Sequence, residues 1–335
     1  MKKTVGLALF FFAIIVVALS ACGNEESNSS EALDITLTMG EQSGSMYPIG
    51  AAIGEYIGNT FEGTRRSVVV GGALANLELV GRNEAQMGHS SSGLSYAAFE
   101  GIEPFDNQLE DVTTIAKVFE SLFHIGVIAS AEIDSFEDVK EKQYPLTISV
   151  GNRGTENELL TRRALEEYGI TYDDLEEWGG RVEFVSMGDA SSLIRDGHIE
   201  AVTSLAGYPA APFEEIMSSR DLKFLSLSEE VAEALSEKYG YQAMDIPANT
   251  YNNQAEAVNT VGGGVVIIAN KNMPEEIIYE VTKWMNSEAG NNTLGNINAG
   301  VNDFLSDPEK ASEGLGAPLH PGAQRYYEEV GVAVD

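Results

Sequence analysis

The chain has 335 residues, length enough for about two domains at roughly 150 residues each, and its 43% hydrophobic and 21% charged content belongs to a folded protein with a sizeable core. With 20 Lys and Arg against 52 Asp and Glu, the net charge of −32 repels phosphate backbones and excludes nucleic acid as a partner. The single Cys leaves no intrachain disulfide and no multi-cysteine zinc or iron–sulfur site.

The first 21 residues differ from the rest. Lys2 and Lys3 precede an apolar run from Leu7 to Leu19, followed by Ser20, Ala21 and Cys22. A stretch this short, ending in small residues, predicts a secretion signal over 1–21 rather than a spanning helix. Leu19-Ser20-Ala21-Cys22 resembles a bacterial lipobox, which implies cleavage before Cys22, lipidation of its sulfur and an extracytoplasmic chain anchored to the cell membrane. Residues 22–33 are polar and read as a flexible tether. No later stretch reaches 18 apolar residues.

From residue 34 onward strand and helix patterns alternate. Leu33 to Met39 alternates apolar and polar residues and predicts a half-buried strand. Tyr47 to Ile57 has helical spacing, with Pro48 in its first turn. Strands are expected at Ser67–Val70 and Ala85–His89, each followed by a helix, at Leu74–Val80 and Leu94–Phe99. This βαβα rhythm predicts a parallel sheet covered by helices. A long β-prone run, Thr113–Ala129, interrupts it. Helices are then expected from Ser135, at Glu156–Tyr168, Ala190–Arg195 and Glu229–Lys238, and strands at Leu146–Val150, Val182–Val185, Ala201–Ser204 and Phe224–Leu227. A third β-run, Thr260–Asn270, precedes helix Pro274–Met285 and an amphipathic tail broken at Pro318–Gly322. The pattern describes two similar α/β units joined by hinge strands: residues 34–120 form the first lobe, 121–268 the second, and 269–335 return to the first.

Catalytic signatures are missing. There is no G-x-x-x-x-G-K-[ST] cradle, no G-x-S-x-G elbow, no H-E-x-x-H and no cofactor motif. His89, His124, His198 and His320 are scattered and read as structural or surface residues, and acidic pairs such as Asp173-Asp174 read as solvated.

Four segments instead share one design, a strand end, a loop of Gly and hydroxyl residues, and a helix start. They are Gly40–Pro48 (with Ser43, Gly44, Ser45 and Tyr47), Gly71–Asn76 (with Gly72 and Asn76), Ser90–Gly93 (with Ser91 and Ser92) and Gly151–Asn157 (with Arg153, Thr155 and Asn157). In an open parallel sheet such loops lie at the carboxyl ends of strands, where ligands bind. Helix starts offer unpaired amides and partial positive charge, which suits a small carboxylate. Gly207 and Tyr208, on a turn after strand Ala201–Ser204, form a fifth element that walls the cleft, and Tyr251 is a weaker case. Arg153, the one cation in these loops, is positioned either to pair with a ligand carboxylate or to neutralise Glu156 or Glu158.

Several of these segments resemble the TAXI-type solute receptors of TRAP (tripartite ATP-independent periplasmic) transporters. They are Ser43–Gly50, Gly71-Gly72 with Asn76-Leu77, Gly151–Glu158, Ala206–Pro209, Ile246–Tyr251 and Pro318–Tyr327, in that order over about residues 34–331. The resemblance implies a type II periplasmic-binding-protein fold of two α/β lobes with a ligand cleft between them. It also implies a small organic anion or amino acid such as glutamate as ligand, and integral membrane permease subunits as partners. It implies capture by lobe closure without covalent chemistry, hence no enzyme. A receptor of an ABC importer shares that fold and is the alternative, as is, further off, an enzyme built on it. Ser43, Met46, Ser90, Ser91, Arg153, Thr155 and Asn157 depart from the family's usual residues, all at the expected contact surface. His320 and Arg325 read as packing residues.

Overall fold

A computed structural model describes residues 33–40, 42 and 44–334. The signal and lipidation expectations, Cys22 included, lie outside the described residues, as do most of the tether and Ser43. In chain order, β1 (Asp34–Met39), α1 (Met46–Thr60), β2 (Arg65–Val70), α2 (Ala73–Gly81), β3 (Met87–Ser91) and α3 (Ser92–Glu100) lead into the long strand β4 (Val112–Ile128). Then come α4 (Phe136–Lys142), β5 (Thr147–Ser149), α5 (Glu156–Glu167), α6 (Tyr172–Glu177), β6 (Arg181–Glu183) and α7 (Met187–Arg195). They are followed by β7 (Ala201–Ala206), α8 (Ala211–Met217), β8 (Leu222–Phe224), α9 (Glu229–Tyr239), β9 (Gln242–Ile246) and a second long strand, β10 (Val258–Asn270). Helices α10 (Glu275–Met285), α11 (Glu288–Gly295), α12 (Asn302–Leu305), α13 (Pro308–Ser312) and α14 (Pro321–Glu329) complete the described chain.

The strands form one sheet in the order β2-β1-β3-β10-β4-β7-β5-β6, with β8 paired to β4 and β9 to β10. On one side β1 lies parallel between β2 and β3; on the other β5 lies parallel between β6 and β7. Each side therefore repeats one plan, in which the first strand is central, the second outermost and the third innermost. Between them β4 and β10 run antiparallel to each other from Gly262 opposite Leu122 to Asn270 opposite Val112. β3 pairs with the Val265–Ala269 end of β10 and β9 with its Val258–Gly262 end, while β7 takes the Leu122–Val127 end of β4. Both long strands thus pass from one half to the other near Glu120–Leu122 and Gly262–Gly264. Glycine is required there, because a Cβ on Gly262 would lie 2.4 Å from the Ser121 carbonyl oxygen.

The core follows the patterning. Ile35, Leu37 and Met39 of β1 are each 1% exposed, and Ile49, Ile53 and Ile57, four residues apart on α1, are fully buried. One apolar cluster built on Phe123, Ile125 and Val127 fills the second half, and another on Leu77, Val80 and Leu94 fills the first. The terminal helices return to the first half: Trp284 stacks on Tyr56 at 4.7 Å between ring centroids, and the Tyr327 hydroxyl donates to the Ile115 carbonyl at 3.1 Å.

Some elements differ from expectation. The strand expected at Phe224–Leu227 lies at Leu222–Phe224, where its backbone meets β4. Strand β9 and helices α8, α11 and α12 were not anticipated. Among the described residues no helix is long and apolar enough to cross a membrane.

Candidate functional site

A cavity of 1070 Å³ opens where the two halves meet. From the first half it is lined by Gly44, Ser45 and Met46 at the start of α1, by Ala73 at the start of α2, and by His89, Ser90, Ser91 and Gly93 around the β3–α3 turn. The second half supplies Glu156 at the start of α5 and the turn from Leu205 to Pro212, including Gly207 and Tyr208. The crossing strands add Phe119, Glu120, Ser121, Gly263 and Val265 as a floor. Tyr241, and residues Asn298–Gly300, Asp303 and Phe304 of the C-terminal part, close it.

The helix starts are not equivalent. Ser45, the N-cap of α1, makes no side-chain cap bond, so the first amides of that helix have no side-chain cap. Its hydroxyl accepts instead from the Asn298 amide at 3.3 Å. Ser91 caps α3 by accepting from the Leu94 N–H at 3.1 Å, and its own O–H donates to the Glu156 carboxyl. That second bond joins the first half to the second. Burial pushes the Glu156 carboxyl up to about 7, against the opposing pull of the Ser91 hydrogen bond and the Arg163 guanidinium.

His89 sits on the cavity wall with its ring held from behind. The Asn76 amide donates to the His89 carbonyl at 2.9 Å and meets Nδ1 at 3.1 Å, and Asn76 Oδ1 accepts from the Thr38 hydroxyl at 2.7 Å. With Nδ1 accepting, the ring proton is assigned to Nε2. Burial pushes this histidine down to about 4, so it is a neutral N–H donor at physiological pH. Tyr241 is 3% exposed, and its hydroxyl faces the buried Arg163 guanidinium, outside close hydrogen-bond distance. Burial drives that phenol up from its ordinary range. Lys117, buried beneath the floor, pairs with Glu120 at 3.2 Å and lies 5.0 Å from the Phe304 ring centroid.

The structure brings Gly44, Ser45, Ser91, Gly207 and Tyr208 to one cavity and keeps other expected contacts off its wall. Gly72 caps α2 and leaves Ala73 as the lining residue. Tyr47 turns to the Val68 carbonyl at 3.4 Å. Asn76 is consumed by the Thr38–His89 network just described. Ser92 accepts from the Gly264 N–H at 3.0 Å and ties α3 to β10. Arg153, expected either at a ligand carboxylate or on a neighbouring Glu, stacks on Phe184 with its guanidinium carbon 3.5 Å from the ring centroid. Thr155 caps α5, and the Asn157 amide donates to the Val150 and Thr203 carbonyls at 2.9 and 3.1 Å.

Tyr251 is a buried tie. His124 Nδ1 donates to the Leu122 carbonyl at 2.8 Å, the Tyr251 hydroxyl donates to His124 Nε2 at 2.9 Å, and the Ala210 N–H donates to the Tyr251 oxygen at 2.7 Å. This chain holds the turn that presents Gly207 and Tyr208. His320 and Arg325 pack as expected: His320 caps α14, and Arg325 pairs with Glu275 and Glu276 at 2.9 and 2.8 Å.

Sequence reasoning missed His89, Glu156, Tyr241 and the 298–304 segment. Glu156 stood inside a loop already singled out; the others carried no local pattern. Among the described residues no group of three or more His, Cys, Asp or Glu is arranged to hold a metal ion. The wall offers neutral donors, acids and aromatic surface, a set suited to holding a small polar molecule.

Comparison with known proteins agrees with this architecture. Residues 37–331 match the model of the NMT1-like family. The periplasmic binding protein BugD superposes with a TM-score of 0.51 at 13% identity, over 88% of this chain and 96% of that one. XAC2383 from Xanthomonas citri, solved bound to ATP, superposes with a TM-score of 0.52 at 10% identity, over 89% and 96%. At such identities the likeness speaks to fold, and the fold is the two-lobed α/β architecture of periplasmic binding proteins.

Proposed function

The chain belongs to the NMT1-like family, and from that premise we propose that it is a solute receptor, a non-enzymatic protein that captures a small carboxylate or amino acid between its halves and delivers it to a membrane transporter. One observation carries this reading: helix starts and turns from both halves converge on a single 1070 Å³ cavity crossed by only two long strands. Ligand pockets are concave, largely preformed and placed at such junctions. The lobes are residues 34–120 and 121–268, with 269–335 returning to the first. Closure works only if solute binds the closed arrangement more tightly than the open one.

The lipobox-like Leu19–Cys22 supports an extracytoplasmic receptor anchored through Cys22, with 22–33 as its tether. The TAXI-like segments support TRAP permease subunits as the membrane partner, and glutamate remains one candidate solute. An ATPase-driven importer is the second reading, favoured by the fold it shares. Reconstituted uptake that follows an ion gradient selects the first partner; uptake that requires ATP hydrolysis selects the second. The receptor reading itself is tested by mass spectrometry of small molecules retained through native purification, followed by calorimetry with the solute found. A bound solute released unchanged is expected. Turnover of that solute, or a cleft that retains nothing and responds to no solute, overturns the reading.

A further inference from the structure

Three side chains behind the first half's wall form a network that ends in the cavity. Thr38 and Asn76 are fully buried, and His89, which lines the cavity, is 9% exposed. Their hydrogen bonds allow one arrangement of protons. The His89 carbonyl only accepts, so the Asn76 amide nitrogen must face it, at 2.9 Å. That orientation turns Asn76 Oδ1 to the Thr38 hydroxyl, which donates at 2.7 Å, and leaves the second amide hydrogen for His89 Nδ1 at 3.1 Å. Nδ1 is therefore the bare nitrogen and Nε2 carries the proton. Among the described residues Nε2 donates to no protein group. The other buried histidine of the cleft is spent by comparison: His124 Nδ1 donates to the Leu122 carbonyl, and its Nε2 accepts from Tyr251, the opposite tautomer.

Glycines after the first two strands make room for this arrangement. A Cβ on Gly71 would overlap Asn76 Oδ1 and lie 2.5 Å from the Thr38 hydroxyl oxygen. A Cβ on Gly40 would lie 3.9 Å from His89 Nε2 and 3.3 Å from the Cβ of Met46, the first residue of α1. The open edge of the imidazole and the start of a 15-residue helix without a side-chain cap thus flank one spot on the wall.

We propose that His89 is a specificity-determining contact, a donor fixed at Nε2 that meets an acceptor oxygen of the solute beside the start of α1, and that Asn76 is the positioning residue that holds its tautomer. The role rests on the receptor reading above and adds to it the group that reads the solute. A locked N–H offers no acceptor, so it admits an atom with a free lone pair and disfavours an N–H or a methyl group in that place. Burial keeps the ring neutral near pH 7, and Lys and Arg are absent from the described wall, so the contact gives direction without a counter-charge.

The test reads the tautomer first, in two-bond proton–nitrogen NMR spectra of the purified chain labelled with 15N-histidine. At pH 7 His89 should show a protonated Nε2 and a bare Nδ1, and His124 the reverse; His89→Gln identifies the signal by removing it. Asn76→Ala should release the ring into the mixture of tautomers shown by the exposed His198. An Nδ1–H tautomer at His89 overturns the proposal and leaves the receptor standing, and a tautomer unmoved by Asn76→Ala overturns the role of Asn76. Calorimetry then uses L-glutamate and glutarate and, where neither binds, the solute retained through native purification. His89→Leu should weaken binding about tenfold, the loss of one hydrogen bond that leaves a buried acceptor unpaired. His89→Gln, whose amide nitrogen is the closest match to Nε2, should stay within about threefold. Bound solute should also shift the His89 Nε2 signal and spare that of His124. Undiminished affinity in His89→Leu, or an Nε2 signal indifferent to bound solute, overturns the contact and leaves the receptor intact; a chain that binds no solute overturns both. The tautomer and the shift are read on the unmodified chain, so the proposal stays falsifiable even if a variant fails to fold.

Discussion

The two halves of the sheet repeat one strand order, and they equip the cleft differently. In the first, β1 flanked by β2 and β3 sends hydroxyls and a neutral imidazole to the wall, through Ser45, Ser90, Ser91 and His89. In the second, β5 flanked by β6 and β7 sends an acid and an aromatic turn, Glu156 and Gly207-Tyr208. Backbone plan is thus duplicated while side-chain chemistry is divided, donors on one side and an acceptor on the other. A buried histidine serves each side, His89 on the wall and pinned by Asn76, His124 behind the Gly207-Tyr208 turn and held by Tyr251 and the Leu122 carbonyl. A repeat of topology alone predicts two similar surfaces; what separates them is which residue follows the strand end and whether its side chain is spent on capping.

Acid titration should have the largest effect on that balance. Burial holds His89 and His124 at about 4, below the ordinary 6.5. As pH falls from 6.5 toward 4 the unfolded chain takes up protons that the folded chain refuses, so stability falls in that window. Each histidine contributes on the order of 3 kcal/mol to this loss. Glu156 acts in the opposite sense. Its folded value of about 7 lies above the ordinary 4.5, so between those values the folded chain holds a proton the unfolded chain has lost, and acidification is stabilising. Denaturant titrations across pH 4 to 7 should show a net acid loss, and Glu156→Gln should steepen it. An unchanged slope in that variant would remove Glu156 from the balance.

Next come the two pins. Asn76→Ala strips a buried hydroxyl, a carbonyl and an imidazole nitrogen of their partner and is expected to cost about 3 kcal/mol. Tyr251→Phe leaves His124 Nε2 and the Ala210 N–H unpaired at nearly constant volume, for about 1–3 kcal/mol. Chemical denaturation measures both. If Tyr251 contacted solute instead, its loss would appear chiefly in affinity and little in stability. Ser91→Ala, the bond between the halves, should cost about 1 kcal/mol through the lost cap of α3. It should also move the titration of the Glu156 carboxyl upward, since the hydroxyl is what draws it down. A lowered midpoint would contradict the assigned direction.

The architecture was legible where the period was strong. Alternation in Leu33–Met39 and the unbroken β-runs at Thr113–Ala129 and Thr260–Asn270 correspond to β1, β4 and β10, whose burial is set by their own residues. Strand β9 was not legible, because Gln242–Ile246 mixes exposed Ala243 and Asp245 with half-buried neighbours and owes its conformation to pairing with β10. Helix α11, with two Asn and two Gly in eight residues, has little propensity of its own and is held by packing. In the site, the loops were visible and the choice within them was not. At the start of α5 the Gly–hydroxyl pattern drew attention to Thr155 and Asn157. Thr155 caps its own helix and Asn157 bonds back to the sheet, and the residue between them turns to the cleft. A hydroxyl at an N-cap is consumed locally, so composition marks the turn without marking the contact.

Arg153 gives the smallest expected change and the sharpest contrast with Glu156, three positions away. Its guanidinium lies on the Phe184 ring, outside the cavity wall, and an exposed cation–π contact is worth about 0.5–1 kcal/mol. Arg153→Ala should therefore lower stability by no more than that and change solute affinity by less than about twofold at 0.15 M salt, where a Debye length near 8 Å screens an exposed charge. Calorimetry of this variant beside Glu156→Gln separates the two ways of reading the loop. A tenfold loss in Arg153→Ala would mean that the side chain swings off Phe184 to meet an anion, and the second half would then arm the cleft with a cation. An unaffected Arg153→Ala with an impaired Glu156→Gln fixes the sign of the contact as acidic, and makes the division of donors and acceptor between the halves the basis of selectivity.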